Sequence, residues 1–390
     1  MSPERIPLAR PDIGPREEAL ALEALRSGRL SLGPMLERFE RELAAWVGAP
    51  DAVGVSSGTT ALHLGVRALG WGEGDEVVTT PFSFVASANC LLYERVTPVF
   101  CDVDERTLNL DPAAAAAAVG ERTAGVLPVH IFGYPADMPA FEGRAGERGL
   151  WLVEDACEAI GAAHGDGRAV GARGNPAVFA FYPNKQVATG EGGAVVSADA
   201  AMKARIDSER NQGRAPDMGW LDHDRLGFNY RLSDVACALG IAQLERLDEL
   251  LDARARVAER YGERLAGVDG LELPCPDADG DRRSWFVYVV QLPAGIDRDT
   301  TIERMRAAGV DAKPYLPAIH LMSFYRERFG HREGEFPVCE EVSRRSLALP
   351  FYPELEDAQV ERVTETLVGI IKSSGPGRRS TGSSAATRSS

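Results

Sequence analysis

Between residues 50 and 200 the sequence changes its hydrophobic period repeatedly, and this alternation restricts the possible folds more than any other feature. The short apolar runs Ala52–Val55, Glu76–Thr79, Thr97–Phe100, Gly125–Val129, Leu150–Glu154, Val178–Phe181 and Gly193–Ser197 are mostly β-branched and bounded by Gly, Pro or Asp. Intervening stretches such as Thr60–Leu69 and Ser83–Tyr93 carry apolar residues at helical spacing. A helix between two strands is the usual crossover that lets them run parallel. Strands alternating with helices therefore predict an α/β domain with a mainly parallel seven-stranded sheet. Ligands of such sheets collect beyond the C-terminal ends of the strands. That places Ser56–Thr60, Pro81–Phe84, Asp155 and Lys185 on one rim.

Past the sheet pattern, Ser233–Leu265 reads as one long helical stretch with many charges. A strand at Trp285–Leu292, a helix near Thr300–Ala308 and a terminal helix near Asp357–Ile371 then predict a smaller α+β region. The expected division is a large domain over residues 1–245 and a small C-terminal domain over 246–372, with the first ~30 residues packing on the small domain. Apart from Pro376, residues 373–390 hold no apolar side chain larger than Ala, and they read as a disordered tail. No internal repeat is present. The run Ala113–Ala118 follows Asp111-Pro112, a helix-start signal.

The bulk properties mainly exclude. A formal charge of −15 argues against general nucleic-acid or membrane-surface binding. No run approaches the roughly 18 apolar residues of a membrane span, and the N-terminus lacks a signal-peptide pattern. The six cysteines form no CxxC pair, so neither a zinc site nor a disulfide framework is expected, and no metal is. Reduced thiols and the absent signal lead us to expect a cytoplasmic protein.

Three segments carry chemistry. Val55-Ser56-Ser57-Gly58-Thr59-Thr60-Ala61-Leu62 is a strand end, a turn of small residues and a helix start. A helix N-terminus there offers free N–H groups and a favourable dipole to phosphate; read alone, the segment is equally an ordinary capped helix. In Leu152-Val153-Glu154-Asp155-Ala156-Cys157-Glu158, Asp155 ends a strand on the same rim. It could hold a pyridine nitrogen protonated or serve only as a helix cap. The third segment is Phe181-Tyr182-Pro183-Asn184-Lys185-Gln186-Val187-Ala188-Thr189-Gly190-Glu191-Gly192-Gly193. Of 43 Lys and Arg, only four are Lys: Lys185, Lys203, Lys313 and Lys372. Arg cannot replace Lys where an amine must lose its proton and attack a carbonyl. A lysine kept against that bias, inside a Gly-rich loop after a strand, points to imine chemistry.

In order and spacing the three segments resemble the sugar aminotransferases often called DegT/StrS, and the likeness runs from about Ile6 to Ile371. Lys-x-x-x-Thr-Gly-Glu-Gly-Gly at Lys185–Gly193 is its most specific part. The resemblance implies pyridoxal 5′-phosphate (PLP), aminotransferase fold type I, and a homodimer whose active sites lie at the subunit interface. It implies an amino group passing from glutamate or glutamine to a nucleotide-linked keto-sugar, at C3 or C4 of a 4-keto-6-deoxy type. Carried over by position, Lys185 is the Schiff-base lysine and Asp155 the partner of the pyridine nitrogen. Ser57, Gly58 and Thr59 face the phosphate, and Phe84 stacks on the ring. Asn229, in Gly227-Phe228-Asn229-Tyr230-Arg231, reaches the neighbouring subunit's phosphate. Arg231, Tyr315 and His320 fall on the substrate side, although for Arg231 and His320 the residues alone allow a structural ion pair or a satisfied buried histidine.

Two positions depart from the family's pattern. Ala180 stands where Ser often binds the phosphate, which leaves that hydrogen bond to another group such as Asn184. Glu158 stands where Gln or His often meets the cofactor's ring oxygen, and it sets a second carboxylate near Asp155, so that one of them is expected to have a raised pKa. Rival readings are an aminocyclitol aminotransferase, a sugar dehydratase of the branch that replaces the lysine by His, and a non-catalytic PLP-binding regulator. Lys185 argues against the dehydratase. The acidic charge and the absence of a helix-turn-helix pattern argue against a DNA-binding regulator.

Overall fold

In a computed structural model, residues 5–215, 222–278 and 280–374 are described. The expected strands form at β1 (Asp51–Val55), β2 (Glu76–Thr79), β3 (Thr97–Phe100), β4 (Thr123–Leu127), β5 (Trp151–Leu152), β6 (Glu154–Asp155), β7 (Ala177–Ala180) and β8 (Gly193–Ser197). One half-sheet has the order β3-β2-β4-β5, and the other β6-β7-β8-β1. Both are joined through one continuous segment. Val153 N–H donates to Val126 O at 3.1 Å, Asp155 N–H to Pro128 O at 2.9 Å, and His130 N–H to Asp155 O at 3.0 Å. Every pairing is parallel except those of β8, which runs against both β1 and β7.

Period-two alternation sorts the strand side chains to two faces. Val77, Leu127, Val153 and Val178 pack with Leu62 and Val66 of the helix Gly58–Ala68. Val78, Val126 and Leu152 turn the other way, against Phe141 and Ala145 of the helix Met138–Arg148. Phe179 and Val196 meet Phe39 and Leu43 of the helix Pro34–Val47 and Ile241 of the helix Asp234–Glu245.

The second unit is a three-stranded antiparallel sheet. Its strands are β9 (Tyr288–Gln291), β10 (Lys313–Pro314) and β11 (Ser346–Leu349), with β11 central. The helices Leu247–Leu265, Arg298–Ala307 and Asp357–Ser374 cover it around Tyr261, Val290, Met305 and Leu367. The stretch predicted as one helix over Ser233–Leu265 is two. It breaks at Arg246, which has φ −127° and whose guanidinium is pulled onto Asp12 and Glu17. Of the N-terminal segment, Ile6 pairs with Val310 and Leu8 O accepts from Phe351 N–H, so this part lies on the small unit. The helix Pro15–Ser27 that follows packs instead on Asp234–Glu245. The predicted tail lies outside the described residues, except that Ser373 and Ser374 finish the last helix.

Two buried polar groups support this frame. Asp234 is fully buried and accepts from Gly33 N–H at 2.8 Å and Met35 N–H at 3.0 Å. It caps the helix Pro34–Val47, whose own cap residue, Gly33, has no side chain to do so. A Cβ on Gly33 would stand 2.3 Å from that carboxylate. Beneath Asp155, His130 Nδ1 accepts from Ala136 N–H at 2.9 Å, so its Nε2–H faces Glu154 at 3.1 Å. His164 stands beside this pair with Nε2 unpartnered, and burial, helped by His130, pushes its imidazole down to about 4.

Replacing Asp234 by Ala strands two buried donors and should lower stability by about 2–4 kcal/mol. A shift in the urea midpoint no larger than that of an exposed Asp→Ala control would remove the capping role. His164 gives a pH dependence of definite sign. The unfolded chain takes a proton below about pH 6.5, whereas the folded protein resists until about 4. Stability therefore falls as pH drops through that window, by about 2 kcal/mol for this group. Urea titrations across it should show a steeper loss for the parent than for His164→Asn, and parallel losses would refute the assignment.

Candidate active site

At the C-terminal rim of the sheet the strand ends surround a cavity of 410 Å³. Its lining contains Ser57, Gly58, Thr59, Phe84, Asp155, Glu158, Asn184, Lys185 and Tyr315. These nine expected residues come from four strand ends and, with Tyr315, from the small unit.

The first wall is the start of the helix Gly58–Ala68. Ser57 caps it, accepting from Thr60 N–H at 3.1 Å, while Thr60 Oγ1 accepts from Ser57 N–H at 3.0 Å. The N–H groups of Gly58 and Thr59 precede the first intrahelical acceptors and remain free to bind an anion. Side chains are kept off this turn by close packing. A Cβ on Gly58 would lie 2.6 Å from Ala180 Cβ, and one on Gly193 would lie 2.4 Å from Ser57 O. Ala180 therefore fills the space against Gly58 and brings no hydroxyl.

The floor is Asp155, buried at the end of β6. Its Oδ2 accepts from Ser87 Oγ at 2.6 Å, and Ser87 shares a 2.7 Å hydrogen bond with Ser83. Its Oδ1 accepts from Cys157 N–H at 3.1 Å. All these donors are neutral, and among the described residues Asp155 forms no ion pair. A buried carboxylate without a cation is costly. Its geometry fits a ligand that brings a positive N–H, as a protonated pyridine does. Phe84, 61% exposed, stands at the mouth with its ring available for stacking.

Lys185 occupies the hairpin loop between β7 and β8, whose neck is closed by Phe181 N–H to Gly192 O at 2.9 Å. Its own N–H donates to Tyr182 O at 2.8 Å. The side chain is 13% exposed, with Nζ 3.6 Å from Glu158 Oε1 and 3.8 Å from the centre of the Phe286 ring. Arg254 Nη2 donates to Lys185 O at 3.0 Å. Glu158 Oε2 accepts from Phe132 N–H at 2.8 Å. Burial pushes the Glu158 carboxyl up, and Asp155 adds to this, while the Lys185 ammonium and the Phe132 N–H pull it down. Burial likewise raises the Tyr315 hydroxyl, with Glu158 contributing, and the Cys157 thiol, with Asp155 contributing. Asn184 Oδ1 is buried without a partner.

Asn229, Arg231 and His320 do not line this cavity. Asn229 is exposed, on a segment joined to the phosphate-type turn by Ser56 N–H to Tyr230 O at 2.9 Å. Arg231 is held by Asn211 Oδ1 at 2.9 Å. His320 is fully buried, with Nε2 3.0 Å from Glu340 Oε1 and the Phe336 ring edge-on. Sequence reasoning did not single out Ser87, Phe286 or Arg254. Ser83 and Ser87 stand four apart at a helix start, which would have suggested a shared face. Nothing local pointed to the other two.

The residues present fit PLP. The helix start suits its phosphate, Phe84 its ring face, Asp155 its ring nitrogen and Lys185 its aldehyde. The described residues contain no cluster of ligands suited to a metal, and no helix is long and apolar enough to cross a membrane.

Comparison with known proteins gives the family. The GDP-perosamine synthase of Caulobacter vibrioides is 35% identical over 370 residues, covering 94% of this chain and 98% of that protein. The crystal structure of S. venezuelae DesV in complex with a ketimine intermediate superposes with a TM-score of 0.89 at 35% identity, over 95% and 99% of the two chains. DesI in the presence of its TDP-sugar product superposes at 0.86 with 33% identity, over 95% and 94%. The model of the DegT/DnrJ/EryC1/StrS aminotransferases matches residues 11–368. A match of that extent on a site of this build has one reading: the chain belongs to the DegT/DnrJ/EryC1/StrS aminotransferase family.

Proposed function

We propose that this aminotransferase holds PLP on Lys185 and carries an amino group from glutamate or glutamine to a nucleotide-linked keto-sugar, at C3 or C4 of a 4-keto-6-deoxy type. The observation that carries the reading is one cavity holding a nearly buried lysine amine, an uncompensated buried carboxylate and a free helix N-terminus. The sugar part is supported by relatives that make GDP-perosamine or are seen with a TDP-sugar product.

When bound, PLP supplies an electron sink that makes the α-proton of an amino acid acidic. Asp155, fixed by Ser87 and the Cys157 N–H, keeps its charge toward the ring nitrogen and sustains that sink. Lys185 Nζ is the amine that would take the α-proton and give it back, serving as base and then acid. Glu158 Oε1, 3.6 Å away, is the carboxylate that would face Nζ while it carries the proton. Thr59 and Gly58 N–H groups, with Ser57, anchor the phosphate. Tyr315 closes the cavity from the small unit.

The proposed assembly is a homodimer with shared sites, set in the cytoplasm. Phe84 and Tyr182 are exposed at the cavity mouth, Leu226 is exposed nearby on the segment leading to Asn229, and apolar surface of this kind is suited to a second copy. Asn229 is then the donor that each subunit offers to the other's phosphate, and Arg231 accompanies it. His320 supports the substrate side through its own turn, Ile319–Leu321, which is tied to the segment before Phe84 by Ile319 N–H to Pro81 O at 2.8 Å.

The decisive test is a single-turnover assay of the aminated cofactor form against a panel of nucleotide keto-sugars and cyclitol ketones. Conversion of at least one nucleotide keto-sugar is expected; conversion of the cyclitols alone would overturn the sugar reading. Lys185→Ala should cost several orders of magnitude in kcat while the protein still binds PLP, and substantial residual activity would end the assignment. Asp155→Asn should slow proton abstraction by roughly two orders of magnitude; a near-normal kcat would leave Asp155 a structural residue. Mixing inactive Lys185→Ala with an impaired Asn229→Asp protein should restore activity on subunit exchange, because one site of the heterodimer then carries neither defect. Exchange without recovery would place Asn229 outside a shared site.

A further inference from the structure

Arg254 stands within the helix Leu247–Leu265 and is only 3% exposed. Buried guanidinium groups are normally paired with carboxylates, yet among the described residues Arg254 forms no ion pair. Its donors go to main-chain carbonyls instead. Nη2 reaches Lys185 O at 3.0 Å, and Nη1 reaches Phe286 O at 3.2 Å and Trp285 O at 3.5 Å, while Nε is unpartnered. Burial pushes its pKa down to about 10, so it remains a cation at neutral pH. Trp285 has φ 47°, a left-handed conformation that costs a non-glycine residue about 1–2 kcal/mol. The turn that aims these carbonyls at the helix is therefore one the chain would not favour unaided. Phe286 is also the residue whose ring lies under Lys185 Nζ. One cation thus grips both the backbone that bears the amine and the backbone that bears the surface on which the amine rests.

We propose that Arg254 is a positioning residue for Lys185, a two-armed clamp from the small unit that sets where Nζ stands and how readily it gives up its proton. The proposal rests on Lys185 being the reacting amine. Around Nζ stand Asp155, Cys157 and Glu158 from β6 and the turn after it, Tyr315 from the small unit, and Tyr182 and Glu191 from the ends of its own loop. Arg254 is the cation behind them. Without the clamp, Nζ is free to leave the ring for Glu158, and a buried positive charge is lost. A closer carboxylate and one cation fewer both favour the protonated amine, and together they outweigh the lost contact with the ring.

With only four lysines in the chain, each amine can be followed separately by peptide mass. The full-length protein, stripped of carbonyl cofactor with hydroxylamine, is reductively methylated across a pH series. Arg254→Met and Arg254→Lys are compared with the parent and with Val257→Ala, a core change on the same helix. In Arg254→Met the Lys185 midpoint should rise by about half a pH unit or more, with Lys203, Lys313 and Lys372 unmoved. Its kcat should fall about tenfold or more, with the donor KM nearly constant. Arg254→Lys keeps the charge but lacks the planar fork and should restore neither quantity fully. A folded Arg254→Met with the Val257→Ala midpoint overturns the proposal, as does an Arg254→Lys protein with parental midpoint and kcat. If Arg254→Met does not fold, the Arg254→Lys midpoint decides. Loss of the aminotransferase reading would appear in the Lys185→Ala assay and would leave the methylation result standing.

Discussion

The short run Val153–Asp155 is the seam on which the molecule depends. Its backbone hydrogen-bonds β4 on one side, and on the other Glu154 N–H and Ala156 N–H reach Pro176 O and Val178 O at 2.8 and 2.9 Å. The same three residues therefore join two half-sheets and present the carboxylate at the floor of the site. A parallel sheet delivers strand ends to one rim. Because Asp155 is hydrogen-bonded through its backbone to Pro128 and His130 on one side, while Glu154 and Ala156 bond the other, its position follows from the sheet itself. Ser87 then fixes its rotation and Ser83 fixes Ser87.

That rigidity matters because the site gathers ionisable groups of which, among the described residues, only Lys185 and Glu158 pair with each other. Asp155 has only neutral hydrogen-bond partners, Glu158 shares its neighbourhood, and Arg254 is a buried cation held by carbonyls and the Phe351 ring, with no carboxylate paired to it among the described residues. Each arrangement would be a burden in an ordinary core. Together they hold acids, an amine and a guanidinium at fixed separations in a medium where their mutual influence is strong. A ligand that brings one phosphate and one protonated ring completes the pattern.

Much of this was legible in the sequence. Seven short apolar runs became the strands of the large sheet within a few residues, because β-branched runs bounded by Gly, Pro and Asp have few alternatives. Nine of the singled-out residues line one cavity for the same reason: a strand end is recognisable and the rim follows. What was not legible is non-local. Asp234 caps a helix that begins 200 residues earlier in the chain, and Arg254 meets Lys185 across the two units. The break at Arg246 was hidden because Leu and Ile keep helical spacing through it, and the reason for it, Asp12 and Glu17, lies at the other end of the chain. His320 fell on the substrate side through the resemblance alone, and its ring is enclosed by Glu340 and Phe336, the buried arrangement that the residues alone also allowed.

The reversed direction of β8 makes the loop that carries Lys185 a self-contained cassette. Because β7 arrives at the rim and β8 departs from it, the chain enters and leaves this loop at neighbouring points, joined by Phe181 and Gly192. Its length and composition can change without rethreading any other strand, unlike every other loop on that rim, which must lead into a crossover. The Lys185 amine thus sits on the part of the rim where new variants are least constrained by topology, while the Ser57–Thr59 turn and Asp155 are fixed by it.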